Sequence, residues 1–223
     1  MPGAENKLAH KGTDMKSMKI ILSLTSASVM AGCTYNSTAP VSASYDVYSN
    51  YSDKIPGRYA LHIEGEEFSG DFKPQGYNCS FHTFSQDASG AFSQSVVKTF
   101  ENLIDYVEPV EYPLDRNDIT MRGLDGQIIV KAEDMDVRIR VIPGFWSSEI
   151  EADVDLAANM TVDSMNGRLL GTTVSGDGDA ITGAGSACDG GAEAMSLATS
   201  DALEELMQRL GERITNSPRV RGH

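Results

Sequence analysis

The spacing of apolar residues changes period several times after Gly57, and each change predicts an element. Tyr59, Leu61 and Ile63 alternate with Ala60, His62 and Glu64, which reads as a short strand. Residues 66–86 are irregular. Phe92, Val96, Phe100, Leu103 and Val107 then recur at helical spacing, predicting an amphipathic helix from Gly90 to Tyr106 that Pro109 and Pro113 bring to an end. Gln127–Ala132 is a short apolar run, and Val137, Ile139 and Val141 alternate with Arg138 and Arg140. The longest alternation places Ile150, Ala152, Val154, Leu156, Ala158, Met160 and Val162 on one face, with Glu151, Asp153, Asp155 and Asp163 on the other. Such a strand belongs to a sheet covered on one side only. Asn166-Gly167 predicts a hairpin turn, Arg168–Ser175 the returning strand, and Ser175–Gly191 a glycine-rich loop. Met195, Ala198, Ala202, Leu206, Leu210 and Ile214 form the stripe of a second helix, ended by Asn216-Ser217-Pro218.

The resulting order, β-α-β-β-β-β-α, predicts an α+β fold: a mostly antiparallel sheet of about five strands with two helices packed on one face. The 223 residues suit one domain, placed at 57–216, and 40% apolar residues are enough for a core. Residues 217–223 read as a disordered basic tail. The net charge of −14 argues against nucleic acid as a partner, because phosphate binding needs a basic face.

The N-terminal segment carries an address. Lys16 and Lys19 precede Ile20–Ala31, an uncharged run of 12 residues. That is short for a membrane span, which needs about 20 residues, and suits the apolar core of a signal peptide. It ends at Ala31-Gly32-Cys33. With Val29 and Met30 just before, this resembles the lipobox of bacterial lipoprotein precursors, with Met30 where leucine is usual. The resemblance implies removal of residues 1–32, a diacylglyceryl group on the Cys33 sulfur and acylation (palmitate or a similar chain) of the new N-terminus. Several acyl chains anchor stably where one is marginal. Met15 fits the start of such a leader, leaving 1–14 as an upstream extension. Thr34, where aspartate favours inner-membrane retention in the enteric sorting pattern, points to the outer membrane with the domain facing the periplasm.

Residues 33–56 are rich in Ser, Tyr and Asn without apolar periodicity, and read as a flexible lipid-bearing tether. Its tyrosines, Tyr35, Tyr45, Tyr48 and Tyr51, are either mobile interfacial aromatics or residues that order on a partner. With Cys33 taken by lipid, Cys79 and Cys188 remain. Outside the cytoplasm they are expected to pair, joining the segments before the two helices. The element order, with a lipidated N-terminus and tether, resembles the YajG-type small envelope lipoproteins, a likeness of pattern without a diagnostic motif.

Candidate chemistry is sparse. There is no G-x-S-x-G, HExxH or P-loop, and no CxxC or histidine spacing suited to a metal, so neither cofactor nor metal is expected. His62-Ile63-Glu64 matches only the first piece of a zinc-deaminase motif. His82 lies near Cys79, but a disulfide would remove that nucleophile. The glycine-rich loop lies where phosphate loops sit, yet Asp177, Asp179 and Asp189 would repel an anion. Phe145-Trp146, beside the Pro143-Gly144 turn, is either a core anchor or an exposed partner contact. These readings point to a non-enzymatic, lipid-anchored periplasmic domain that serves an envelope assembly or secretion system, with the membrane and an envelope protein as partners. A small-molecule or lipid carrier is one alternative. An envelope hydrolase using His82 or His62 is the other.

Overall fold

A computed structural model describes Thr34–Thr38, residue 40 and residues 49–76 and 78–222. The leader and Cys33 lie outside the described residues. Among those described, eight strands and four helices follow in the order β1 (Thr34–Thr38), β2 (Ile55–Glu64), β3 (Ser69–Phe72), β4 (Thr83–Asp87), α1 (Ser89–Leu103), β5 (Ile104–Val110), α2 (Arg116–Met121), β6 (Gly126–Pro143), β7 (Ser148–Ser164), β8 (Gly167–Gly183), α3 (Gly190–Thr215) and α4 (Pro218–Arg221). The fold is α+β, as the element pattern predicts.

The main sheet has the order β5-β2-β6-β7-β8. The long β6–β7 and β7–β8 ladders are antiparallel, whereas β2 runs parallel to both β5 and β6. The parallel β2–β5 pair departs from the sequence reading. Ile104–Val110, expected as the last turns of the first helix and its stop, is a strand, so β2-α1-β5 forms a crossover unit. Pro109 is tolerated there because β5 is an edge.

The two runs 127–132 and 137–141 are one strand, not two. Its buried positions switch from Ile128, Val130 and Ala132 to Ile139 across a register shift between Ala132 and Asp134. An extra residue at a β-bulge changes which parity faces the core. In β7 every second residue from Ile150 to Ser164 is buried, as the alternation predicts.

The apolar sheet face is filled by α1 and α3. Ile128, Val154, Leu156 and Met160 are buried there with Leu203, Leu206 and Leu210. The other face is wet along β6, β7 and β8, whereas at β2 Ala60 is buried in a separate small cluster with Ile119 of α2 and Leu124. On the wet part Arg138 pairs with Asp155 at 2.8 Å and Arg140 with Asp153 at 2.9 Å.

The glycine-rich segment is also corrected. Residues 176–183 continue β8 as an extended strand. Gly176 and Gly178 sit opposite Leu156 and Val154 on the inward face, directly beneath α3. A Cβ on Gly178 would come 2.2 Å from the Ala198 carbonyl oxygen. These glycines are contact points for a helix rather than loop residues.

A second, three-stranded sheet has the order β1-β4-β3. It forms from the segment expected to be irregular and from part of the expected tether. Thr34–Thr38 pairs in parallel with Thr83–Asp87. Phe84 of β4 packs inward so closely that a Cβ on Gly191, at the start of α3, would meet its ring at 2.5 Å. The tail is ordered too. Val220 of α4 is fully buried, and Arg221 donates to the carbonyls of Thr215 at 2.7 Å and Asp53 at 2.9 Å.

Candidate functional site

Cys79, Cys188, His82, Tyr35 and the Phe145-Trp146 turn share one end of the domain. β8 runs toward that end and α3 starts from it, since Thr182 Oγ1 donates to the Gly190 carbonyl at 2.8 Å. The β6–β7 hairpin turns there, and Ala184 N donates to the Ser148 carbonyl at 2.8 Å.

Cys79 and Cys188 are disulfide-bonded at this end, with a Cα–Cα distance of 6.0 Å. Both cysteines have positive φ, 60° and 63°, unusual for residues with a side chain. The bond ties the segment before β4 to the segment before α3, and it removes Cys79 as a nucleophile for His82.

Tyr35 completes the cluster. Its hydroxyl donates to the Ala187 carbonyl at 2.7 Å, next to the disulfide. Its ring lies 5.5 Å from Phe84 and 5.4 Å from His82. Farther along, Ser37 Oγ donates to the Ala192 carbonyl and Ser196 Oγ to the Thr38 carbonyl. β1 therefore runs beside α3, with Thr34 at the hairpin end. Of the tyrosines read either as mobile interfacial aromatics or as residues that order on a partner, Tyr35 docks on its own domain, and Tyr51 lies under the Arg221 guanidinium at 4.1 Å. Tyr45 and Tyr48 lie outside the described residues.

Phe145 and Trp146 occupy the hairpin tip and are 90% and 93% exposed. They contact each other edge to face at 4.8 Å. Phe81, which the residue pattern does not single out, lies next to the disulfide in the turn closed by His82 N donating to the Cys79 carbonyl, and is 71% exposed. The available signal was the absence of charge around it.

The structure does not bring the two histidines together. His62, in β2, is buried with Nε2 at 3.3 Å from Glu64 Oε1 and Nδ1 at 3.4 Å from the Val110 carbonyl. Glu66, Glu67, Glu111 and Lys131 line the cleft beside it. His82 sits at the disulfide end with Nδ1 buried and unpartnered. The apolar sheet face is covered by α1 and α3. Among the described residues no group of His, Cys, Asp and Glu is arranged to hold a metal ion, and no helix is long and apolar enough to cross a membrane.

No protein-family model and no curated protein matches the sequence. Among solved structures, the chain is similar to a Xanthomonas campestris protein of family DUF330, at 12% identity and a TM-score of 0.46, over 80% of this chain and 92% of that one. It is also similar to a Helicobacter pylori homolog of the neuraminyllactose-binding hemagglutinin, at 11% identity and a TM-score of 0.39, over 77% of this chain and 91% of that one. A minor lipoprotein from Acinetobacter baumannii aligns at 9% identity and a TM-score of 0.33, over 70% and 90% of the two chains. No assignment of function is drawn from likenesses this distant.

Proposed function

We propose that this chain is a lipid-anchored, non-enzymatic component of a bacterial envelope assembly, held in the outer membrane through Cys33 and facing the periplasm. The observation that carries the reading is the coincidence of Lys16 and Lys19, the apolar run Ile20–Ala31 and the small residues before Cys33. The Cys79–Cys188 disulfide supports it, because such bonds persist in oxidising compartments. The wet face of β6, β7 and β8, with paired arginines and acids, is then available for an envelope protein.

Membrane fractionation of wild type and Cys33→Ala tests the anchor. Wild type should partition with membranes and carry acyl mass on its N-terminal peptide, and the variant should lose both. Equal retention of the two, without acyl mass, sinks the reading. Crosslinking in the native envelope, followed by identification of what is attached, addresses the partner.

A further inference from the structure

The hairpin end of the domain has a composition of its own. It is built from residues 74–76 with 78–86, 141–148 and 180–188, none of which is Asp, Glu, Lys or Arg. Elsewhere charge is common: the whole chain is 22% charged with a net charge of −14. The structure brings these separate stretches together through the Cys79–Cys188 bond, the Ala184–Ser148 hydrogen bond and a hydrogen bond from Gln75 N to the Ile139 carbonyl at 2.8 Å. Charge returns at the edges of these segments, as at Arg140, Glu149 and Asp189, and from the end they form project Phe81, Phe145 and Trp146, all strongly exposed.

β1 starts at the same end. Thr34 pairs with Thr83, one residue after His82, and the Tyr35 hydroxyl reaches Ala187 beside the disulfide. Cys33 directly precedes Thr34 in the chain, and consecutive Cα atoms are about 3.8 Å apart. Thr34, the residue that follows Cys33, therefore begins β1 at the aromatic end and not at the acidic sheet face.

We propose that this end is a membrane-contact face: Phe145 and Trp146, with Phe81 from the disulfide turn, enter the interfacial layer of the bilayer that holds the Cys33 lipid. This rests on the anchoring reading and adds an orientation to it. Aromatic side chains favour the headgroup level of a bilayer, and a tip free of charge from Val141 to Ser148 enters it without the cost of desolvating ions. The outcome is a domain fixed with its β6–β7 tip down and α3 and β8 running away from the membrane. A protein partner or a second copy would also cover aromatics, but neither accounts for β1, which follows the lipid-bearing residue, beginning at this end.

Trp146 is the only tryptophan in the chain, so its fluorescence reports on the tip alone. The test uses the full chain, made with its leader in lipid-modifying bacteria and reconstituted into phosphatidylcholine vesicles, either plain or brominated on the acyl chains. Flotation measures anchoring separately. The expected result is flotation, a blue-shifted emission that loses most of its intensity in brominated vesicles, and protection from aqueous iodide. Phe145→Ser, at an exposed position, should reduce bromine quenching while flotation persists. Flotation with iodide-accessible, bromine-insensitive emission overturns the contact face and leaves the anchor standing. Shielding from iodide without bromine quenching also overturns it, in favour of protein covering the tip. Failure to float, with no acyl mass, overturns anchor and contact face together.

Discussion

Gly176 of β8 lies against Ala202 of α3 so closely that a Cβ on the glycine would come 2.3 Å from the Ala202 carbonyl oxygen and 2.5 Å from Leu206 N. Both obstructing atoms are helix backbone, which cannot rotate out of the way. Gly176→Ala must therefore push α3 off the sheet, and overpacking of this kind costs about 1–3 kcal/mol. Gly183, at the end of the same strand, has nothing within 4 Å of the equivalent position. Gly183→Ala should stay within about 0.5 kcal/mol of wild type. Urea midpoints of the two variants decide the matter, and equal midpoints would show that the helix yields freely.

That pair also shows why part of the fold was legible and part was not. The β7 alternation and the α3 stripe can be read because burial of one face is written directly into side-chain type. Gly176 and Gly178 obey the same inward parity, but a glycine carries no apolar signal, so Ser175–Gly191 reads as a loop. Ile104–Val110 was hidden because Val107 continues the helical spacing of α1, and only tertiary pairing with β2 decides its state. The parity change between Ala132 and Ile139 was visible, but it supports two strands as well as one bulged strand. At the candidate site, Cys79, Cys188, Phe145 and Trp146 stand out by residue type. Phe81 and the docking of Tyr35 do not, since they depend on which loops meet at one end.

The disulfide closes a span of 109 residues. In the chain-entropy picture a loop of that length is worth about 4–5 kcal/mol, and native bridges usually deliver about 2–5. Cys79→Ser with Cys188→Ser should lower stability within that range, measured by urea unfolding of the full chain. Loss of the bridge frees the loops on which Tyr35 rests, so amide exchange in Thr34–Thr38 should accelerate more than in β7. Uniform acceleration would mean that β1 does not depend on the bridge. Non-reducing peptide mapping should recover the Cys79–Cys188 peptide pair.

Arg221 acts as a clasp between the C-terminal turn and the start of the domain. Its guanidinium donates to the Thr215 and Asp53 carbonyls and covers the Tyr51 ring at 4.1 Å. A second link joins the same elements, with Asn50 N donating to Asn216 Oδ1 at 2.8 Å. Arg221→Ala should open residues 50–54 locally, at a cost of about 1 kcal/mol, since the pairing is partly exposed. Arg221→Lys should restore little, because an ammonium cannot reproduce the planar fork. Hydrogen exchange of the amides at 50–54 measures both, and unchanged protection in the alanine variant would remove the clasp.

Tyr59 sets an alkaline limit on stability. Burial raises its phenol pKa from 10.0 to about 12, with the Asp125 carboxylate adding to the shift. That carboxylate is held in place by the Arg58 backbone N–H at 2.9 Å. Burial penalises the phenolate, so the folded chain keeps its proton when the unfolded chain has released it. Between pH 10 and about 12 the native state then binds more protons than the unfolded state, and stability falls as pH rises. Below pH 10 both states are protonated and the contribution is constant. Tyr59→Phe should flatten the decline of the urea midpoint across this window, whatever its offset at neutral pH. Asp125→Asn removes the smaller cause, lowers the Tyr59 pKa toward its ordinary value, and should soften the decline part of the way. An alkaline decline unchanged in Tyr59→Phe would assign the limit to other groups.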